Sequence, residues 1–292
     1  MKLKVWGARG SVPAPGPEMN RYGGNTSCVE LELSDGSTLI IDAGTGIRSL
    51  GVGIARKLPK INILLTHLHL DHIQGLMFFA PCFHSESEIT IWGPSSPEAS
   101  LEERIARYIS APLSPVEVRE LPCGISFRDT PPSEWGLGPA TIRAEAVTHR
   151  GPTLGYRIMD GDTTLTYISD HEPGLGSSLE TLESEWISGF DLAHDADLLI
   201  HDCQYADEEY PEHVGWGHSK LSDTLTFARR VEAERLLLFH HDPLHSDDFL
   251  DRFHETAQER WAELGGPEGA VEMAAESQEL EVAARPPVAA AT

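Results

Sequence analysis

Apolar positions along this chain gather into short runs of strand length, separated by turns and by a few helix-length stretches. The opening residues 3–7 read as a strand, followed by a Gly- and Pro-rich loop over 8–24. Residues 27–33 and 38–42 read as two more strands joined by a Ser-Asp-Gly-Ser turn at 34–37. Residues 61–65, Ile-Asn-Ile-Leu-Leu, form an apolar run that fits a buried strand. Further strands are predicted at 88–92, 142–147, 153–158, 164–169, 197–201 and 235–239. Helical patterns are predicted at 47–58, around glycines 51 and 53, from 73 to 79, at 97–109 and, after Ser219, at 221–232.

Two strand-rich halves, each carrying helices, imply an α/β fold in which two sheets pack face to face with helices outside. No interior linker divides the chain, so residues 1–264 are expected to form one domain. From residue 265 the sequence turns to Gly, Pro, Ala and Glu, and residues 265–292 are expected to be a disordered tail. The Pro-rich stretch 111–139 is the expected site of a flexible flap.

The chemistry is concentrated directly after the run at 61–65, where Thr66-His67-Leu68-His69-Leu70-Asp71-His72 places four metal-competent side chains within six residues. In an extended segment alternate residues share a face, so His67 and His69 can grip one ion together. Asp71 and His72, at the start of the next element, are placed to serve a second. Mixed imidazole and carboxylate donors suit zinc, manganese or iron and leave coordination positions open, unlike a closed four-thiolate site.

Composition narrows the partners. The 292 residues hold 22 Lys plus Arg against 46 Asp plus Glu, a net charge of −24, and a field of that sign repels long polyanions. Metal ions in the site would still draw in a small anion. Cys28, Cys82, Cys123 and Cys203 are scattered without paired spacing, which fits a reducing cytoplasm and no disulfide. No export signal and no membrane-spanning stretch is read in the sequence.

The run His67-Leu68-His69-Leu70-Asp71-His72, with Asp42-Ala43-Gly44-Thr45-Gly46 upstream and further His and Asp residues at strand ends, resembles the metallo-β-lactamase-fold hydrolases. Trp6-Gly7-Ala8-Arg9-Gly10-Ser11 and Tyr22-Gly23-Gly24-Asn25-Thr26-Ser27 resemble the phosphodiesterase branch that contains ribonuclease Z and related cyclic-nucleotide phosphodiesterases. The resemblance spans residues 1–260 or so. It implies a four-layer αββα sandwich with the metal site at one edge of the two sheets.

Carried over by position, the resemblance makes His149 the third imidazole of a first site with His67 and His69. Asp170 becomes a carboxylate bridging both ions, and Asp71, His72 and a late histidine complete the second site. The family register favours His240 as that histidine over His241. Gly217-His218-Ser219 resembles the segment whose histidine contacts the scissile phosphate or protonates the leaving oxygen, although Lys220 stands where a Thr is usual. Asp202 resembles the acidic residue that orients this histidine, although Glu is commoner there.

Asp71, His218 and Asp202 are therefore the candidate catalytic residues. Asn25 and Thr26 are candidate substrate contacts, with a purely structural turn as the competing reading, and Arg9 and Arg21 are candidate anion contacts. Asp42 is expected to support a ligating histidine.

The resemblance also implies two divalent ions, zinc first and manganese or iron as alternatives, that activate a hydroxide against a small phosphodiester, a cyclic nucleotide above all. Homodimers are expected on the same ground. Transfer-RNA 3′-processing is the alternative, disfavoured because residues 82–140 carry glutamates rather than a basic arm. Thioester or lactone hydrolysis on the same fold ranks third.

Overall fold

In the computed structural model, which describes residues 1–54 and 60–285, the strands form two seven-stranded sheets. The first runs in the order β14 (Glu279–Glu281), β1 (Lys2–Gly7), β2 (Cys28–Glu32), β3 (Thr38–Ile41), β4 (Lys60–Leu64), β5 (Glu88–Pro94) and β6 (Gly124–Thr130). The second runs β13 (Val271–Met273), β12 (Arg235–Phe239), β11 (Leu198–Asp202), β10 (Thr163–Ile168), β9 (Leu154–Asp160), β8 (Ala140–Ala146) and β7 (Ser133–Leu137).

Strands β3 to β6 are mutually parallel, as are β10 to β13, and the remaining neighbours pair antiparallel. Parallel strands are buried on both faces and so read as apolar runs.

The inner faces meet in a core that includes Val5, Leu31, Ile41 and Leu64 from the first sheet and Ile142, Tyr156, Tyr167, Ile200 and Phe239 from the second. Alternate residues face outward under helices. Ile61, Ile63, Ile89 and Ile91 pack beneath α1 (Ile47–Ile54) and α3 (Leu101–Tyr108). Ile168, Leu199 and Leu238 pack beneath α4 (Phe190–Ala193), α5 (Leu221–Arg230) and α6 (Asp247–Glu263). This is the expected αββα sandwich.

Several expectations need correction. The helix read over 97–109 begins at Leu101, because Ser100 accepts from the Glu103 N–H and Glu103 caps in return. The helix expected from residue 73 is instead a single turn, α2 (Leu70–Ile73), followed by 3₁₀ turns at Leu76–Phe78 and Ala80–Phe83. Gly75 stops it: its N–H donates to Ala43 O, and a Cβ there would overlap the Gly44 carbonyl. The part of the 47–58 helical pattern beyond Ile54 lies outside the described residues. Helix α6 has no counterpart among the expected elements.

The second half of the flap expected over 111–139 is sheet, since β6 and β7 form one edge of each sheet and Trp92 stacks on Trp135 at 5.2 Å between the two. The tail expected to be disordered from residue 265 is structured through Arg285. Val271 and Met273 pair with Leu236 and Leu238, and Leu280 pairs with Leu3. Val282 is buried, and Arg285 donates through its backbone N–H to Asp197. Each strand is only three residues long, too short for an alternating pattern to register. The remainder of that expectation, 286–292, lies outside the described residues.

Candidate metal centre

Five strands of the two sheets end at one edge, and the loops after them deliver the polar side chains. His67 and His69 follow β4, His149 follows β8, Asp170 follows β10, Asp202 ends β11 and His240 follows β12. Asp71 and His72 come from α2. Gly44 lets that turn sit against the loop after β3, because a Cβ on it would overlap Asp71 O. Asp42 and His240 both adopt left-handed backbone, at φ 60° and 62°. Such strain costs about 1–3 kcal/mol per residue and persists only where the surroundings hold it.

These residues assemble into two donor groups that meet at Asp170. One is His67, His69 and His149; the other is Asp71, His72, Asp170 and His240. His149 Nε2 lies 3.2 Å from His69 Nδ1. His72 Nε2 lies 3.3 Å from Asp71 Oδ2 and 3.1 Å from Asp170 Oδ1. His240 Nε2 lies 3.2 Å from Asp71 Oδ2 and 3.1 Å from Asp170 Oδ2. Asp170 Oδ2 also lies 3.7 Å from His67 Nε2 and 3.8 Å from His149 Nε2, so one carboxylate faces both groups.

The outer nitrogens of four imidazoles are tied down. Asp42 Oδ2 accepts from His72 Nδ1 at 2.8 Å, Thr66 Oγ1 is 3.0 Å from His67 Nδ1, Gly217 O accepts from His149 Nδ1 at 2.7 Å and Gln204 Oε1 accepts from His240 Nδ1 at 3.0 Å. Acceptors there fix the tautomer and turn each Nε2 lone pair inward. Asp42 itself accepts from the Thr66 N–H and from Tyr167 OH.

Buried His67 Nε2, His72 Nε2 and Asp170 Oδ1 have no hydrogen-bond partner of acceptable geometry. Orphaned inward lone pairs beside two carboxylates are what a divalent cation satisfies, so the donor set fits such ions. Burial alone would raise the Asp170 carboxyl, but the surrounding His240, His72 and His67 hold it well below the usual range. Burial pushes the His67, His69 and His149 imidazoles down, toward the neutral form that a ligand needs.

Beside the donors, Asp202 Oδ2 accepts from His218 Nδ1 at 2.7 Å and from the His171 N–H, while its Oδ1 accepts from the Gln204 and Ser219 amides. The His218 ring stacks on that of His240 at 4.9 Å. His218, Asp71, Asp170, His240, His69 and Ser11 line an open cleft of about 420 Å³.

Asn25 and Thr26 are not brought to this cleft. Asn25 directs both its backbone N–H and its amide at Glu276, while Thr26 exchanges hydrogen bonds with Thr45, so the structural-turn reading replaces substrate contact. Arg9 is fully buried against the carbonyls of Gly23, Asp242 and His245. Arg21 pairs with Asp248 and Asp251 at the surface, and neither arginine lines the cleft. His241 donates to Ala274 O and faces away from the donors that His240 joins.

Three contributors went unread in the sequence. The Ser11 N–H donates to Asp71 Oδ2 at 2.7 Å, Gln204 holds His240, and Thr66 links Asp42 to His67. Thr66 begins the histidine run itself, and that adjacency was the one available signal.

The beta-lactamase superfamily domain matches residues 37–241 of this sequence. The chain belongs to that superfamily. It is a metal-dependent hydrolase of the metallo-β-lactamase fold.

Ribonuclease Z from Natronomonas pharaonis is 24% identical over 281 residues, covering 82% of this chain and 86% of its own length. Among solved structures, the metallo-beta-lactamase fold protein YhfI from Bacillus subtilis aligns with a TM-score of 0.68 at 20% identity, over 96% of this chain and 98% of that one. The short form of human tRNase Z gives 0.67 at 20% identity over 97% and 100%. A diphosphatase of the PhnP family gives 0.67 at 16% over 97% and 98%. These likenesses carry the fold. No helix among the described residues is long and apolar enough to cross a membrane.

Proposed function

We propose that this chain hydrolyses a small phosphodiester, a cyclic nucleotide first, to a phosphomonoester, with two divalent ions held by His67, His69 and His149 and by Asp71, His72, Asp170 and His240. Zinc is the first choice for that imidazole-rich donor set. When bound, such ions polarise the phosphoryl oxygens and lower the pKa of water.

The observation that carries the reading is the His218 and Asp202 pair, which opens beside both donor groups onto a cleft of the size that takes one small ligand. Water adds to phosphorus, the P–O bond to the sugar breaks, and the leaving oxygen needs a proton. His218 is placed to supply it, with Asp202 holding Nδ1–H so that the opposite nitrogen faces the cleft. The net charge of −24 favours a small anion over a long polyanion.

A second reading, cleavage of transfer-RNA precursors, is supported by the ribonuclease Z relatives, whose similarity runs over about four-fifths of this chain. The test sets purified, metal-assayed protein against cyclic mononucleotides, a transfer-RNA precursor and a thioester, with His69→Ala as control. Turnover of the cyclic nucleotide that disappears in the control is expected. Cleavage of the precursor alone would move the assignment to the second reading, and thioester cleavage alone would remove the phosphodiester.

A further inference from the structure

We propose that Glu172 is the positioning residue that sets His149 and His218 together, through one carboxylate that touches neither substrate nor ion. Glu172 lies just past β10, two residues beyond Asp170, and is 1% exposed. Its backbone N–H donates to Thr148 O at 2.9 Å, next to His149. Its Oε1 accepts from Tyr210 OH at 2.7 Å and from the Gly215 N–H at 2.8 Å, and its Oε2 accepts from the Gly217 N–H at 2.8 Å. Gly217 O then accepts from His149 Nδ1 at 2.7 Å, and the next residue is His218. One side chain thereby anchors the loop that both orients an imidazole of the open donor group and presents the proton donor.

Each partner meets Glu172 as a donor, and a carboxylate offers acceptors at both oxygens. A glutamine would keep one acceptor and turn an NH₂ toward at least one of the three donors, leaving a buried pair unsatisfied. A glutamine keeps two donors paired by placing its oxygen at the Oε1 position, so its NH₂ faces the Gly217 N–H, that residue is released, and His149 loses the carbonyl that fixes its tautomer. Loss of such an outer partner weakens a metal ligand's grip by about 10- to 100-fold. The inference rests on the two-ion reading above.

The test has two parts. In equilibrium zinc titrations without substrate, Glu172→Gln is expected to bind one ion about 10- to 100-fold more weakly while the second binds as in the wild type. Tyr210→Phe, which leaves both amides paired, is expected to shift that affinity far less. Wild-type affinity for both ions in Glu172→Gln would overturn the proposal.

Hydrogen exchange on the unmodified protein supplies the second part and needs neither a folded variant nor metal. Amides of Gly215 and Gly217 as slow as those of β10 are expected, and rapid exchange there would overturn the proposal even if Glu172→Gln failed to fold. A wild-type protein that bound a single ion while both amides stayed protected would contradict the two-ion reading and leave the Glu172 anchor standing.

Discussion

The two donor groups meet at one carboxylate and differ in burial and in what holds their imidazoles. Asp71, His72, Asp170 and His240 are all buried, and both imidazoles lean on side chains, Asp42 and Gln204, fixed by further hydrogen bonds. In the other group the His67 and His149 imidazoles are buried and His69 is exposed at the cleft, and His149 depends on a loop carbonyl. The closed group joins α2, which supplies Asp71 and His72, to the ends of β10 and β12, which supply Asp170 and His240. The open group carries the one exposed donor, His69, while Asp71, Asp170 and His240 of the closed group also reach the cleft.

The residue common to both should break the comparison most completely. Asp170→Ala removes an oxygen donor from each group, and phosphodiester turnover is expected to fall about a thousandfold or more, with fewer than two ions per chain by elemental analysis. Retention of both ions with normal turnover would remove Asp170 from its bridging place. His218→Ala removes a member of neither donor group, so kcat should drop about a hundredfold at unchanged metal content. A loss of metal in that variant would mean that His218 is a ligand and not the proton donor.

Asp42→Asn acts on the closed group directly, through His72, and reaches His67 of the open group only through Thr66. Asn still accepts a hydrogen bond from His72 but lacks the charge, and affinity for one ion is expected to weaken about tenfold while the open group's ion binds normally. A zinc titration that showed the open group weakened instead would invert the assignment.

An effect on folding rather than on metal concerns the neutral histidines behind the closed group. His201 Nδ1 donates to Asp202 O, so its Nε2 accepts from His171 Nδ1 at 2.9 Å, and burial pushes the His201 pKa down to about 4. The unfolded chain takes up this proton below about pH 6.5 whereas the folded chain resists until about pH 4. Stability is thus fully present above pH 6.5 and declines as pH falls toward 4, by about 2 kcal/mol at pH 5 from this one group. Urea unfolding at pH 7 and pH 5 should show the loss in wild type, and a flat profile would mean that His201 is not held neutral.

The legible part of the site was the part contiguous in sequence. His67, His69, Asp71 and His72 follow a buried strand within six residues, and their pattern announces metal chemistry unaided. His149, Asp170 and His240 are single residues at the ends of distant strands, and only likeness to a family singles them out. The two-sheet architecture was readable because apolar runs of parallel strands are distinctive.

Misreadings came from local sequence whose partners lie far away. Asn25 looks free on a Gly-rich turn, yet Glu276 claims it from about 250 residues on. Arg9 looks like an anion contact, yet its donors meet carbonyls beyond β12. The segment after residue 265 has the composition of a tail, yet three-residue strands at 271–273 and 279–281 find edges of both sheets to complete.

The separateness of the two groups is most directly tested by counting ions in the wild type, His69→Ala and His240→Ala under one zinc concentration. Two equivalents in the wild type are predicted, with one lost from each variant, and anomalous scattering should place the survivor in the closed group for His69→Ala and in the open group for His240→Ala. A single equivalent in the wild type, or the same surviving position in both variants, would contradict the two-group account.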